Sequence, residues 1–230
     1  MNDPAPAPRA TAPRATAPRA FCTPCQRPLR NCICDLVQAV EHATEVLILQ
    51  HPLEVREAKG TARLLHLCLQ RSRLEVGEQF ASDVLRSWLT EDWHGNPTMS
   101  PRTVLLYPES AHDPALPLLP APPLPPAWLE SPQPLRLVVI DGTWRKSRKM
   151  LYLHPLLQQL PRLGLRDLPA SRYAIRRAHR AGQLSTLEAT CCALAQLEPA
   201  NQDLERLLQA MDTLVLRQSQ WRCRPTTNKP

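Results

Sequence analysis

Short runs of apolar residues mark the predicted strands of a sheet. Three of them, 45–50, 103–107 and 137–140, are rich in Val, Leu and Ile without alternation, which is typical of strands buried on both faces. The run 74–76 predicts a short edge strand, and 165–168 is a further possible strand. Strands buried on both faces belong to parallel sheets covered by helices, so the pattern predicts an α/β domain.

Apolar residues at helical spacing predict five helices around these strands. The capping box Ser185-Thr-Leu-Glu188 opens one helix, and Asn201 caps the last. Pro155 breaks or kinks the helix that starts near Arg145. The predicted helices are 61–69, 82–89, 145–153, 186–196 and the apolar-faced segment 204–215.

Polar and aromatic side chains follow the ends of the three buried strands. Gln50 and His51 follow the first, Tyr107 the second, and Asp141-Gly-Thr-Trp144 the third. Ligands of open α/β sheets bind at the carboxyl ends of strands, so these residues are candidates for a site. The alternative for Asp141 is that it only ends the strand and caps the next helix. A lone His51 is more often structural than catalytic.

Composition separates a core-forming part from two Pro-rich segments. The chain has 230 residues, of which 43% are apolar, enough for one sizeable domain. Residues 1–20 repeat Ala-Thr-Ala-Pro-Arg, and we expect a disordered tail. Residues 108–134 contain ten prolines and predict an extended covering loop, anchored by Trp128. The predicted organisation is a tail 1–20, a cysteine motif 21–36, a main domain 37–217 and a flexible basic tail 218–230.

Charge indicates the class of partner. The net charge is +7, and the segment 145–180 is rich in Arg and Lys, with Asp167 as its acidic residue. This favours a polyanion such as nucleic acid, and a solvated basic surface is the alternative. The chain has no apolar run of about 18 residues, so we expect no membrane span, and its N-terminus lacks the apolar core of a secretory signal.

Four cysteines lie within 13 residues, at positions 22, 25, 32 and 34. Four thiolates can surround one Zn²⁺ ion tetrahedrally, and they would leave no open position for catalysis. A redox pair or unrelated buried thiols are the alternatives. We therefore expect a structural metal, whose removal unfolds the N-terminal part and leaves the sheet intact. The other cysteines are scattered, which indicates a reducing cytoplasm rather than a disulfide framework.

Six motifs in order resemble the DTW-domain family of tRNA-uridine aminocarboxypropyltransferases, across roughly 21–195. Any one of them alone is weak, and their order makes the resemblance specific. The motifs are Cys22-x-x-Cys25 with Arg27-Pro28 and Cys32-x-Cys34, Leu49-Gln50-His51-Pro52-x-Glu54 with Gly60-Thr61-Ala62-Arg63-Leu64, Leu106-Tyr107-Pro108, Asp141-Gly142-Thr143-Trp144, Ser171-Arg172-Tyr173 with Arg176, and Ser185-Thr186-Leu187-Glu188-Ala189.

The resemblance implies a SPOUT-like fold, with a mostly parallel sheet and a C-terminal trefoil knot that holds S-adenosylmethionine. It implies transfer of the 3-amino-3-carboxypropyl group of S-adenosylmethionine to N3 of a tRNA uridine, with release of 5′-methylthioadenosine. Two other functions stay open: a SPOUT-type RNA methyltransferase, and a non-catalytic zinc and RNA-binding module. Monomer and homodimer also both stay open.

The resemblance also gives residues their expected roles. Asp141 is the expected general base for N3, or else a ligand of the cofactor amino group or ribose. Trp144 is expected to pack in the core, and stacking on the adenine or on the target uracil is the alternative. The residues expected to bind S-adenosylmethionine are Leu106, Tyr107, Pro108, Asp141, Gly142, Thr143, Trp144, Ser185 and Thr186. Those expected to contact tRNA are His51, Arg63, Arg145, Lys146, Lys149, Arg172 and Arg176.

Overall fold

A five-stranded parallel sheet forms the centre of the computed structural model, which describes residues 20–93, 100–108, 113–131, 133–166, 168–172 and 184–222, with side chains to residue 220. The strand order is β2-β1-β4-β3-β5, and every pairing is parallel. The predicted α/β fold with a parallel sheet is confirmed. The strands are β1 Glu45–Gln50, β2 Ser72–Val76, β3 Arg102–Leu106, β4 Leu135–Asp141 and β5 Arg162–Leu163.

Helices cover both faces of the sheet. Along β1, Val46 and Ile48 face one apolar cluster, which contains α1, α6 and α7, while Leu47 and Leu49 face another, which contains α2, α4 and α5. This is why the central strands read as uninterrupted apolar runs. The helices are α1 Ala62–Cys68, α2 Ser82–Thr90, α3 Ala127–Glu130, α4 Trp144–Leu153, α5 Pro155–Gln158, α6 Thr186–Leu197 and α7 Leu204–Arg222.

Most predicted elements are confirmed to within a residue or two, and two predictions are wrong. The described residues of the strand expected at 165–168 lie outside any strand, and the fifth strand is the two-residue β5 before them. The segment expected to be a flexible tail from 218 is helical as far as Arg222. Gln218 is buried, and its amide donates to the Ala58 carbonyl over 2.8 Å.

Trp128 anchors the described part of the Pro-rich segment 108–134 on the domain, as expected. Trp128, on the one-turn helix α3, packs against the apolar cluster of α1, α6 and α7. The guanidinium of Arg102 lies 5.7 Å from the centre of its ring. In the described part of the chain, no helix combines the length and apolar character that a membrane crossing would need.

The cysteine motif packs on the main domain. Ile33 and Leu36 are buried in the same apolar cluster as α1, α6 and α7. Arg217, on α7, donates to the Asp35 carboxylate and to the Cys32 carbonyl. Arg27 donates to the carbonyls of residues 58 and 60 in the loop between β1 and α1. The motif therefore contacts two separate parts of the domain.

Candidate active site

The carboxyl ends of β1 and β4 form a topological switch point. The two strands are neighbours, and the chain leaves β1 toward β2 at one edge but leaves β4 toward β5 at the other. Divergent connections open a crevice between two such strands, where α/β proteins bind ligands. The His51 amide donates to the Asp141 carbonyl over 2.9 Å just beyond the paired strands, so both polar strand ends lie at this crevice.

Asp141 joins three elements at the crevice. Its side chain is buried, Oδ2 accepts from Gln50 Nε2 over 2.8 Å, and Oδ1 accepts from the Thr186 hydroxyl over 2.6 Å. Gln50 ends β1 and Thr186 begins α6. The alternative in which Asp141 caps the next helix is wrong, because Thr143 is the N-cap of α4 and its hydroxyl accepts from the Lys146 amide.

The start of α6 is tied to the rest of the site by its capping box. Ser185 Oγ accepts from the Glu188 amide, and Glu188 Oε2 accepts from the Ser185 amide over 2.7 Å. Glu188 Oε1 also accepts from the Arg172 amide, and the Ser171 hydroxyl donates to the same carboxylate. The Leu187 amide donates to the hydroxyl of residue 61 at the start of α1. One carboxylate therefore holds both the helix start and the 171–172 segment.

Trp144 is exposed beside the crevice. Its side chain is 55% exposed, and its ring meets Tyr107 edge-on, with centroids 6.0 Å apart. The expectation that Trp144 packs in the core is wrong. Tyr107 is buried, and this burial raises the pKa of its phenol, so the phenol stays protonated at neutral pH. Leu106 is half-buried and Pro108 is exposed, so this strand end also borders solvent.

Gly142 lets the turn after β4 lie against α4. A Cβ atom at this position would lie 3.2 Å from Lys146 Cβ, 3.4 Å from the Ser147 nitrogen and 3.7 Å from His51 Cβ. The first distance is tighter than ordinary contact, so a larger residue would push the turn away from α4. Gly142 therefore supports the position of Asp141 through packing.

Three of the residues expected to contact tRNA are paired with carboxylates near the crevice. His51 is buried, its Nδ1 accepts from the Leu53 amide, and its Nε2 donates to Glu78 Oε1 over 3.1 Å. Lys149 donates to the other Glu78 oxygen over 3.0 Å. Lys146 donates to Glu54 over 2.8 Å. The His51 ring therefore links the Leu53 amide to Glu78. The two lysines flank the crevice, and the carboxylates paired with them neutralise part of their positive charge.

The remaining expected tRNA contacts are spread over the surface. Arg63 donates to Gln26 of the cysteine motif, and Arg172 pairs with two carboxylates of α7, at 205 and 212. Arg145 is exposed, and no carboxylate of the described ranges pairs with it. Arg176 lies outside the described residues. The crevice therefore brings together Arg145 and the two lysines, but not Arg63.

The four cysteines of the N-terminal motif meet in one cluster. Their sulfur atoms all lie within 4.8 Å of one another, and Cys22 Sγ is 3.5 Å from Cys34 Sγ. Sulfur atoms on a tetrahedral zinc lie about 3.8 Å apart, given a Zn–S bond of about 2.3 Å. The cluster therefore fits the donor set of a closed, structural zinc site. No described cysteine forms a disulfide.

The sequence reasoning missed how several residues of the site pair with one another. Gln50 was assigned no role of its own, although its side chain is a direct partner of Asp141. Glu54 and Glu78, which pair with the lysines, lie 92 and 71 positions away from them along the chain. The motif order placed Gln50 and Glu54 near the other motifs, but only the folded chain shows which groups meet.

Comparison with known proteins identifies relatives. The model of the DTW domain matches residues 19–219. A protein of Drosophila melanogaster named tRNA-uridine aminocarboxypropyltransferase 2 is 31% identical over 201 residues, covering 84% of this chain and 72% of its own length. The protein of that name in Macaca fascicularis is 29% identical over 205 residues, covering 84% of this chain and 61% of its own length. The chain thus spans about three fifths of the macaque relative, and no solved structure matches significantly.

Proposed function

Because this chain belongs to the DTW-domain family, we propose that it transfers the 3-amino-3-carboxypropyl group of S-adenosylmethionine to N3 of a tRNA uridine. 5′-Methylthioadenosine is the leaving product. One observation carries the proposal beyond the family: a buried carboxylate, Asp141, sits at the switch point of a parallel sheet, beside the exposed indole of Trp144.

The choice of transferred group is a problem of position. S-adenosylmethionine supplies three carbons activated by its sulfonium, of which the methyl carbon is the least hindered. The site must hold the cofactor so that the longer group faces N3. We assign this task to the strand ends and to the start of α6, which hydrogen bonds join into one rigid unit through Asp141 and Glu188. The proposed cofactor-binding residues are Leu106, Tyr107, Pro108, Asp141, Gly142, Thr143, Trp144, Ser185 and Thr186.

Asp141 is the proposed general base for the N3 proton. N3 of uridine is a poor nucleophile until it loses this proton, and a carboxylate within hydrogen-bond reach can accept it. Thr186 and Gln50 orient the two carboxylate oxygens, and each oxygen has a second lone pair, so the base role does not require either partner to leave. In the other role Asp141 holds the cofactor and transfers no proton.

The variant Asp141→Asn separates the two roles. It keeps the shape and the hydrogen-bonding capacity of the side chain but cannot take up a proton. For a base, we expect turnover to fall at least about a hundredfold, while the affinity for S-adenosylmethionine, measured by calorimetry, stays near that of the wild type. A loss of affinity that accounts for the whole loss of turnover would contradict the base role.

The proposed tRNA surface surrounds Trp144. Arg145 is exposed, and Lys146 and Lys149 lie on the same helix. Cations beside an exposed indole suit a nucleic acid, because they contact phosphates while the ring stacks on a base. Binding of tRNA should therefore weaken steeply with salt concentration. Arg63, Arg172, His51 and Arg176 remain proposed contacts of tRNA.

The metal ion, the cellular compartment and the knot that the family resemblance implies are proposals as well. We propose that the cysteine cluster holds a structural zinc ion and that the protein works in the cytoplasm. We also propose a C-terminal trefoil knot. It is supported by the path of the chain, which leaves β5 at one edge of the sheet and returns to Asp141 at its centre through α6.

Product analysis tests the proposed reaction directly. The full chain is incubated with S-adenosylmethionine and unmodified tRNA, and nucleosides and small molecules are identified by mass spectrometry. Aminocarboxypropyluridine together with 5′-methylthioadenosine supports the proposal. S-adenosylhomocysteine would identify a methyltransferase instead, and no product at all would favour a non-catalytic binding module.

A further inference from the structure

Gln50 occupies the centre of the crevice. It is the last residue of β1, its side chain is buried at 2% exposure, and its register partner on β4 is Asp141. Its backbone carbonyl accepts from the Gly77 amide over 3.0 Å, which also fixes its main chain. Gln50 is therefore held firmly at the point where ligands of such sheets bind.

The contact with Asp141 determines how the Gln50 amide is oriented. Nε2 donates to Asp141 Oδ2 over 2.8 Å. The flipped amide would place its oxygen against the carboxylate oxygen, two acceptors facing each other. Oε1 must therefore be the group left for another partner.

No donor reaches Gln50 Oε1 within the described ranges, and the atom is shielded from water. A buried acceptor without a donor destabilises a fold, so such an atom in a native protein calls for an explanation. Buried Gln158 shows the ordinary arrangement: its Oε1 accepts from the Leu119 amide, and its Nε2 donates to the Tyr152 carbonyl. Gln50 Oε1 has no such donor in the described ranges, and it lies at the candidate site.

The neighbouring charge indicates which donor fits. The Gln50 amide oxygen lies beside a buried carboxylate, and that neighbouring negative charge favours a ligand group with N–H donors and a positive charge. The uracil N3–H is neutral and is lost in the reaction, and the adenine amino group is neutral too. An ammonium group can donate to Gln50 Oε1 and carries the positive charge.

We propose that Gln50 Oε1 binds the α-ammonium of the 3-amino-3-carboxypropyl group of S-adenosylmethionine. The inference rests on the proposed function and extends it to the group that is transferred. Fixing the ammonium orients the chain that carries the reacting carbon and so turns the methyl group away from the uridine. Gln50 is then a specificity-determining residue for the choice of carbon.

The inference is tested by measuring the affinities of two ligands for two proteins, the wild type and Gln50→Leu. The ligands are S-adenosylmethionine and its analogue with hydrogen in place of the α-amino group, and calorimetry gives both affinities. The wild type should bind S-adenosylmethionine at least about tenfold more tightly, as expected for a hydrogen bond to a charged group. Gln50→Leu should lose most of this preference. The affinity of both proteins for 5′-methylthioadenosine, which lacks the amino-acid part, should be unchanged.

Controls separate this role from a general loss of structure. Gln158→Leu removes a buried glutamine away from the crevice and should keep the full preference for the amino ligand. Should Gln50→Leu fail to fold, Gln50→Asn withdraws the amide by one methylene and should lose the preference in the same way. Equal preference in the wild type and the folded Gln50 variants overturns the inference.

Two further outcomes distinguish this inference from the proposed function. A wild type that binds both ligands equally well overturns the role of Gln50 and leaves the proposed reaction standing. A wild type that binds neither ligand overturns the proposed function, and the inference with it.

Discussion

Trp144 owes its position to its place as the first residue of α4. The residue types around it predict a strand, a turn and a helix, but they do not specify which way the first helical side chain points. In the structure the residue is 55% exposed, and its ring meets that of Tyr107 edge-on. An exposed tryptophan beside a candidate crevice is better placed to meet a ligand than to support the core.

Replacing Trp144 should separate function from stability. For Trp144→Ala we expect the free energy of unfolding to change by no more than about 1 kcal/mol, because one aromatic contact is lost. Turnover of tRNA should fall at least about tenfold through the loss of stacking. Kinetics and urea denaturation check the two effects. Trp128→Ala is the control, since its ring packs on the core away from the crevice and should affect stability alone.

His42 gives the stability a dependence on pH. Burial lowers the pKa of its imidazole below the ordinary value of 6.5. The ring is held neutral, with Nδ1 donating to the Thr44 carbonyl and Nε2 accepting from the Arg71 amide. Below pH 6.5 the unfolded chain binds a proton at this residue that the folded chain resists, so stability falls as pH decreases.

Urea denaturation between pH 7.5 and pH 5 should show this loss of stability in the wild type. The variant His42→Gln, which cannot titrate, should show a smaller loss over the same range, even if it is less stable at every pH. Parallel curves for the two proteins would mean that His42 contributes nothing to the pH dependence.

At the scale of elements, the sequence predicts a strand or a helix best where one strong local pattern marks it. The uninterrupted apolar runs predict β1, β3 and β4, and the capping box marks the start of α6 at Ser185. β5 was missed because two residues carry no periodic pattern and because β3 alone pairs with it. The sheet order arises from contacts between distant segments, which no local pattern encodes.

Arg136 joins elements at the opposite end of the sheet from the crevice. Its guanidinium is fully buried, donates to Glu45 of β1 and to the carbonyls of Trp88 and Glu91 near the end of α2, and lies 3.9 Å from the ring centre of Trp93. These contacts fix α2 against the start of β4. A charge buried this completely is tolerated because it donates to a carboxylate and two carbonyls and lies over an aromatic face.

Arg136→Ala should therefore be among the most destabilising single changes in the chain. It leaves the Glu45 carboxylate buried without its main partner, and we expect a loss of about 3–5 kcal/mol in the free energy of unfolding. Chemical denaturation measures it. Arg102→Ala, which removes an arginine from the surface contact with Trp128, should cost less than about 1 kcal/mol. Similar losses for both variants would show that the buried network is not what stabilises α2.

At the scale of the whole molecule, the cysteine motif is part of the domain. The spacing of the four cysteines predicts the cluster itself, because the ligands are close in sequence. The contacts of Arg27 with the β1–α1 loop and of Arg217 with Asp35 link segments far apart in the chain, and the spacing could not show them. The spacing alone predicts a motif separate from the main domain. In the folded chain, Ile33 and Leu36 of the motif are buried in the core of that domain.

This packing changes the expected effect of removing the metal. A motif that hung apart would unfold alone on chelation and leave the sheet intact. Here loss of the proposed zinc releases Ile33 from the core and frees the loop that Arg27 holds beside Gln50 and His51. Calorimetry of the chelated protein should show one transition at a lower midpoint, together with weaker binding of S-adenosylmethionine. Cys22→Ala should reproduce both effects and respond no further to chelator. A second, separate transition with an unshifted main one would show that the motif folds independently.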